Sequence, residues 1–379
     1  MAENATTTDV KQRSLLPFTI RFEPRLKEPP RWYPPLVSLG AIVVALVLGG
    51  LVIAQSGGDP IRSYAHIARA SFGNLGVFSD TLVKATPLIL VGLACSVGFR
   101  MKLWNIGAEG QFFLGAFGAS AVVLTGILPE DASPWVYLPL MMVAGFAGGA
   151  LWGFVPGFLK ARLNVNEIIT TLMMNYIAVA WNNFFIFGVW SEGGFQMSPM
   201  FPRGAWLPRL ADYAKQVPTF RGLTVHLGFI IAVLAAVVVW FILYRSKWGY
   251  EIRLIGDNPR AAEYAGINIK RNIILVMMLS GGLAGLAGAS EISGVVHRLQ
   301  GAISPGYGFT GIIIAWLAKL NPFAVIIVSI LFGALILAGR EIQPSGIPRM
   351  IQGIILVCLI ASDFLLRYQV RIVRRAEEA

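Results

Sequence analysis

Long apolar runs alternate with short polar stretches along most of this chain. The runs fall at 36–54, 81–99, 106–128, 135–159, 167–189, 227–244, 273–296, 309–319, 323–339 and 347–366. Several exceed the 18 or so residues that cross about 30 Å of hydrocarbon as a helix. The pattern predicts an all-α polytopic transmembrane bundle of about ten spans. The run 309–319 is too short to cross alone and needs the Gly/Pro-rich stretch 301–308 to complete it. Residues 55–78 mix Tyr64, Ile67 and Phe72 with Arg62 and Arg69, as an interfacial helix would. Lys84, near the outer end of its run, can snorkel to the surface. Gly145, Gly149, Gly153 and Gly157 recur every fourth residue and lay a smooth packing stripe on one helix.

Polar residues interrupt the apolar pattern at two places. Asn105, Glu109 and Gln111 stand with Gly107 and Gly110 at the start of the third run. Pro305, Gly306 and Gly308 stand just before the eighth. A carboxylate in a spanning segment is costly, and two Gly/Pro-interrupted segments point to a transporter's solute path. The plainer readings are a cytoplasmic turn capping the next helix, and an outer loop leading into a short one. At 100° per residue, Glu167, Thr171, Asn175 and Asn182 form one narrow stripe, which should face a bundle interior or a water-filled path.

The stretch 245–272 is the longest loop on the side assigned to the interior. Asp257 or Asn258 can cap a helix with Pro259 in its first turn, and Gly266 follows at the stop position. The resulting helix, Pro259–Ala265, carries Arg260, Ala261, Ala262 and Glu263. It is too short to be stable alone. It is either a plain connector or a stub built to dock into a partner, and caps at both ends favour docking.

Composition agrees with a membrane protein: 56% hydrophobic and 13% charged, against about 25% charged in soluble domains. The net charge of +11 needs no nucleic acid. Basic residues favour the side carrying both termini and 245–272 by about two to one, as the positive-inside rule requires. The proline-rich stretch 1–35 reads as a disordered cytoplasmic tail and 367–379 as a second cytoplasmic tail, flanking a transmembrane domain at 36–366. The two cysteines and three histidines form no disulfide framework and no metal pattern, and no cofactor motif is present. There is no Gly-Lys dipeptide and hence no P-loop, so any ATP is bound by another chain. Nucleophile–base motifs are missing too, which disfavours a membrane enzyme using Glu109 or Glu167.

Four stretches carry a resemblance: 105–111 (NIGAEGQ), 166–175 (NEIITTLMMN), 256–267 (GDNPRAAEYAGI) and 304–312 (SPGYGFTGI). The chain resembles the permeases of ABC importers for branched-chain amino acids, ribose and nucleosides, and is most similar to the nucleoside type. The resemblance implies a type II ABC importer-like fold with interrupted helices in a bacterial inner membrane, both termini cytoplasmic. It implies a second, homologous permease subunit (often a different chain), a cytoplasmic ABC ATPase on the helix around 259–265, and an extracytoplasmic solute-binding lipoprotein. Lipid surrounds the bundle, and a small-molecule solute passes through it. Asn105, Glu109 and Gln111 would then suit the hydroxyls and base edge of a nucleoside, with Glu167, Thr171 and Asn175 on the facing wall. Both carboxylates could instead support backbone freed at the helix breaks. The competing class is an ion-gradient-driven secondary transporter with Glu109 or Glu167 as proton site.

Overall fold

The computed structural model describes residues 18–24, 30, 32–339 and 346–374. In chain order the helices are α1 (Tyr33–Gln55), α2 (Pro60–Phe72), α3 (Leu75–Arg100), α4 (Ala108–Leu124), α5 (Pro134–Leu163), α6 (Glu167–Phe187), α7 (Leu227–Arg245), α8 (Lys247–Asp257), α9 (Pro259–Tyr264), α10 (Ile269–Glu291), α11 (Tyr307–Leu317), α12 (Pro322–Ala338) and α13 (Ile347–Arg367). Strands β1 (Phe18–Pro24) and β2 (Tyr368–Arg374) flank them. The chain divides into two compact units, one running from Gly50 to Gln352 and the other built from the two chain ends.

Among the described residues, α3, α5, α7 and α10 with its following turn are long and apolar enough to cross a membrane. The bent pair Leu39–Gln55 and Pro60–Phe72 makes a fifth if counted as one span. The expected ten spans are therefore not confirmed. The physical reason lies in the breaks: α4, α11 and α12 are apolar but only 17, 11 and 17 residues long. The segment 55–78 does form a helix of its own, α2, capped by the Asp59 side chain and started by Pro60.

In the chain-end unit, β1 and β2 pair antiparallel, with Ile20 opposite Ile372 and Phe22 opposite Val370. Residues 18–24 of the stretch read as a disordered tail thus form a strand, while 1–17, 25–29 and 31 lie outside the described residues. The sequence of 18–23 alternates apolar and polar residues with period two, a strand pattern that the surrounding prolines obscure.

In the larger unit, α3 is the hub. Its residues from Val83 to Phe99 are all buried, against α7, α10, α11 and α12. Beside it, α4, α5 and α10 cross closely through the glycine stripe. A methyl group on Gly149 would overlap the Gly281 carbonyl, and one on Gly145 would lie 2.5 Å from the Ala289 side chain. At such a crossing backbone touches backbone, so only glycine fits.

The loop 190–225 is folded back on the end of α10. There the helix widens into a π turn, Ile292–Val296, and stops at His297 in the left-handed region (φ 59). Trp206 stacks on the His297 ring at 3.7 Å, and Leu207 N–H donates to the Ser293 carbonyl at 3.0 Å.

Candidate functional site

The first break follows α3. The chain turns through Lys102 at φ 59 and does not resume as helix until Ala108. The N-cap Gly107 offers no side chain, so the exposed N–H groups of α4 must find partners elsewhere. Asn105 Oδ1 accepts from Gly107 N–H at 3.1 Å. Asn175, on α6, holds both sides of the break. Its Oδ1 accepts from Gly110 N–H at 2.8 Å and its Nδ2 donates to the Ile106 carbonyl at 2.9 Å. Thr171, one turn earlier, accepts from Ile106 N–H at 3.2 Å. Asn105 also exchanges hydrogen bonds with Gln111 (2.9 and 3.2 Å) and donates to Ser280 of α10, whose hydroxyl donates to the Ala94 carbonyl at 2.7 Å.

The second break precedes α11. Ser304 Oγ accepts from both Gly306 and Tyr307 N–H at 3.0 Å, and Gly306 sits at φ +101, open to glycine. Pro305 stands inside this turn. Gly308 N–H, in the first turn of α11, donates to Glu109 Oε2 at 2.6 Å. The two breaks thus meet, and a carboxylate of one caps the helix of the other. The positive end of the α11 dipole suits that charge.

Beside this contact lies a buried ion pair. Lys84 Nζ is 3.3 Å from Glu291 Oε1, and the Tyr307 hydroxyl lies within 3.5 Å of both. Lys84 does not snorkel. It lies nine residues into α3, about 14 Å along the helix axis, and is only 7% exposed. Each charge stood alone in its apolar run; two lone charges of opposite sign in different spans were the available signal.

The structure brings Asn105, Glu109, Gln111, Thr171 and Asn175 together, all buried and each bonded to protein. Glu167 joins them only through its backbone carbonyl, which accepts from the Thr171 hydroxyl at 2.7 Å. Its carboxylate instead pairs with Lys160 at 2.9 Å across the α5–α6 turn. Asn182 meets the second break's approach, donating to the Gln300 carbonyl at 3.2 Å.

At the far end of α7, the loop element is two helices rather than one. Helix α8 passed unseen because its eleven residues have no long apolar run. Trp248 Nε1 donates to Asn272 at 2.7 Å, and Asn272 donates to Glu251 at 3.1 Å, tying α8 to α10. Gly256 lies against the Arg100 carbonyl, and a methyl group there would overlap it. So α8 rests on the residue where α3 ends and the first break begins. Asn258, not Asp257, caps α9, accepting from Ala261 N–H at 3.1 Å with Pro259 in the first turn. Gly266 (φ +73) terminates it. Ala262 is fully buried, whereas Asp257, Arg260 and Glu263 are exposed and Tyr264 is 94% exposed.

At the opposite end, His226 and His297 are buried beside Arg209, which donates to the Gly294 carbonyl and lies 2.7 Å from His297 Nε2. Burial first, and the Arg209 guanidinium second, push His226 down to about 3 and His297 to about 4.

In this helical membrane bundle two interrupted helices meet, a carboxylate of one capping the other, and α8 is seated where the first break begins. This chain belongs to the family described as branched-chain amino acid transport system / permease component, whose pattern it matches over residues 77–360. It is 36% identical over 344 residues to the guanosine ABC transporter permease protein NupP of Bacillus subtilis, covering 88% of this chain and 94% of that one. It is 32% identical to the glucose ABC transporter permease protein TsgB13 of Haloferax volcanii, covering 95% and 96%. With the nucleoside ABC transporter permease protein NupB of Lactococcus lactis it shares 31% identity over 86% and 89%. A solved inward-facing transporter of the metal-chelate ABC type, at 14% identity and a TM-score of 0.43, is too distant to inform the fold.

Proposed function

We propose that this permease forms half of the path of an ABC importer for a nucleoside or a similar small polar solute, powered by a separate ATPase subunit docked on α9. The observation that carries this reading is the seat of α8 on Arg100. A push on the exposed face of α9 reaches the first break through rigid helix contacts, and from there the Glu109–Gly308 cap of the second. Both breaks would shift together, opening the path to one side and then the other. The relatives named for guanosine and nucleosides support the solute class. The further relatives NupQ and NupC, from the same two organisms, support a second homologous permease beside this one. An extracytoplasmic receptor would deliver the solute at the 190–225 loop. The α8–α9 face and both chain ends would lie in the cytoplasm of a bacterial inner membrane.

In this reading Asn105, Gln111, Thr171 and Asn175 shape the first break rather than bind solute directly, since their polar groups bond the protein itself. Glu109 joins the breaks, and Glu167 fixes the α5–α6 turn through Lys160. No observation favours an ion-gradient mechanism over this.

Pull-down of the full chain in mild detergent tests the coupling assignment. Arg260→Ala with Glu263→Ala should reduce capture of a P-loop ATPase while the melting temperature stays at the wild-type value. Undiminished capture removes α9 from the coupling role.

A further inference from the structure

On the α8–α9 face, the end of α5 meets the start of α10 around two adjoining cavities of ≈270 and ≈520 Å³. Both are walled by Arg162, Asn268 and Lys270; Arg271 lines the smaller and Lys160 the larger. Lys160 is neutralised by Glu167 at 2.9 Å. The side chains of Arg162, Lys270 and Arg271 have no hydrogen-bond or ion-pair partner among the described residues. The larger cavity has one acid in its wall, the exposed Glu263.

The placement of Lys270 and Arg271 is unfavourable on its own terms. They occupy the first turn of α10, which carries no acidic residue, so two cations sit at the positive end of a helix dipole. The burden is relieved if an anion occupies the space between them and Arg162. The floor beneath is apolar, with Ile273, Ile274 and Leu275 in the cavity walls. Those residues belong to α10, one of the helices long enough to span a bilayer, so the cations stand at its headgroup end. Basic pockets between transmembrane helices at a membrane surface hold anionic lipid headgroups.

We propose that this cleft is a binding site for an anionic phospholipid of the adjacent leaflet. Arg162, Lys270 and Arg271 hold the phosphate, and the acyl chains lie along Ile274 and Leu275. Glu263 of α9 borders the same cavity, so the lipid stands next to the helix assigned above to ATPase docking. The lipid site itself rests only on the cleft.

Native mass spectrometry of the full chain, released from nanodiscs of mixed phosphatidylglycerol and phosphatidylcholine, tests this. The expected result is selective retention of phosphatidylglycerol. Retention should fall about fivefold for each cation removed in Arg162→Ala, Lys270→Ala and Arg271→Ala, the factor expected for about 1 kcal/mol per basic residue. Lys270→Arg should retain the lipid, and Arg221→Ala, in the opposite loop, should leave retention unchanged. Should a variant misfold, competition on the wild type decides: short-chain phosphatidylglycerol displaces the bound lipid, whereas inorganic phosphate and glycerophosphoglycerol do not. Equal retention of the two lipids, or full displacement by inorganic phosphate, overturns the lipid assignment.

Discussion

Glu109 and Gly308 lie 199 residues apart and are joined by one hydrogen bond, in which the Gly308 N–H donates to the Glu109 carboxylate at 2.6 Å. Their backbones touch as well. A methyl group on Gly308 would overlap the Glu109 amide nitrogen and lie 2.5 Å from its Cα. The first break thereby supplies the cap of the helix that follows the second.

Removing that acceptor strands a buried N–H, at a cost of about 1–3 kcal/mol. Glu109→Ala should lower the melting temperature in detergent, and Glu109→Gln, which keeps an acceptor oxygen, should lower it less. An alanine variant that melts like the wild type yet loses uptake would instead mark Glu109 as a direct solute contact. Gly308→Ala should be worse than either, because backbone has to move.

The Lys84–Glu291 pair is buried, so losing one partner should cost more than losing both. Lys84→Met takes the cation from Glu291 and should destabilise by about 3–5 kcal/mol. Adding Glu291→Gln to Lys84→Met should recover a large part of that loss. A double-mutant cycle on thermal unfolding measures it, and strict additivity of the two single changes would refute a direct pairing.

Gly149→Ala places a methyl group against the Gly281 carbonyl in the α5–α10 crossing. Overpacking typically costs about 1–3 kcal/mol, and rigid backbone on both sides puts this site at the upper end. Reduced membrane accumulation and a lower melting temperature are expected. Gly40→Ala, where nothing lies within 4 Å, should show neither.

The two buried histidines make stability depend on pH with a definite sign. Their folded values of about 3 and about 4 lie below the ordinary 6.5. Between those limits the unfolded chain binds protons that the folded chain refuses, so stability is full above 6.5 and falls as pH drops toward 4. Melting temperature measured from pH 7.5 to 4.5 should decline, and His297→Gln should flatten part of the slope. A wild-type profile that rises on acidification contradicts this placement.

Much of this arrangement could be read in advance. The glycine stripe was legible because period four on a helix permits little but packing. The polar face of α6 was legible from its 100° spacing, yet its partner was not: that Asn175 bridges Ile106 and Gly110 depends on a crossing between elements 65 residues apart. The Lys84–Glu291 pair was hidden for the same reason, at a separation of 207 residues. Asn258 and Gly266 marked α9 because capping is local chemistry. Helix α8 has an equally local cap in Ser246, which accepts from Gly249 N–H, but no long apolar run to mark it, and β1 depends on a partner at the other end of the chain.

In the proposed function, ATP in a partner subunit drives solute movement through this permease. Uptake of a radiolabelled nucleoside into cells expressing the chain with its transporter partners tests it, with ATP and the ion gradient manipulated separately. The expected result is uptake that survives collapse of the ion gradient and stops when ATP is depleted. Uptake that continues without ATP while the gradient is held would contradict it.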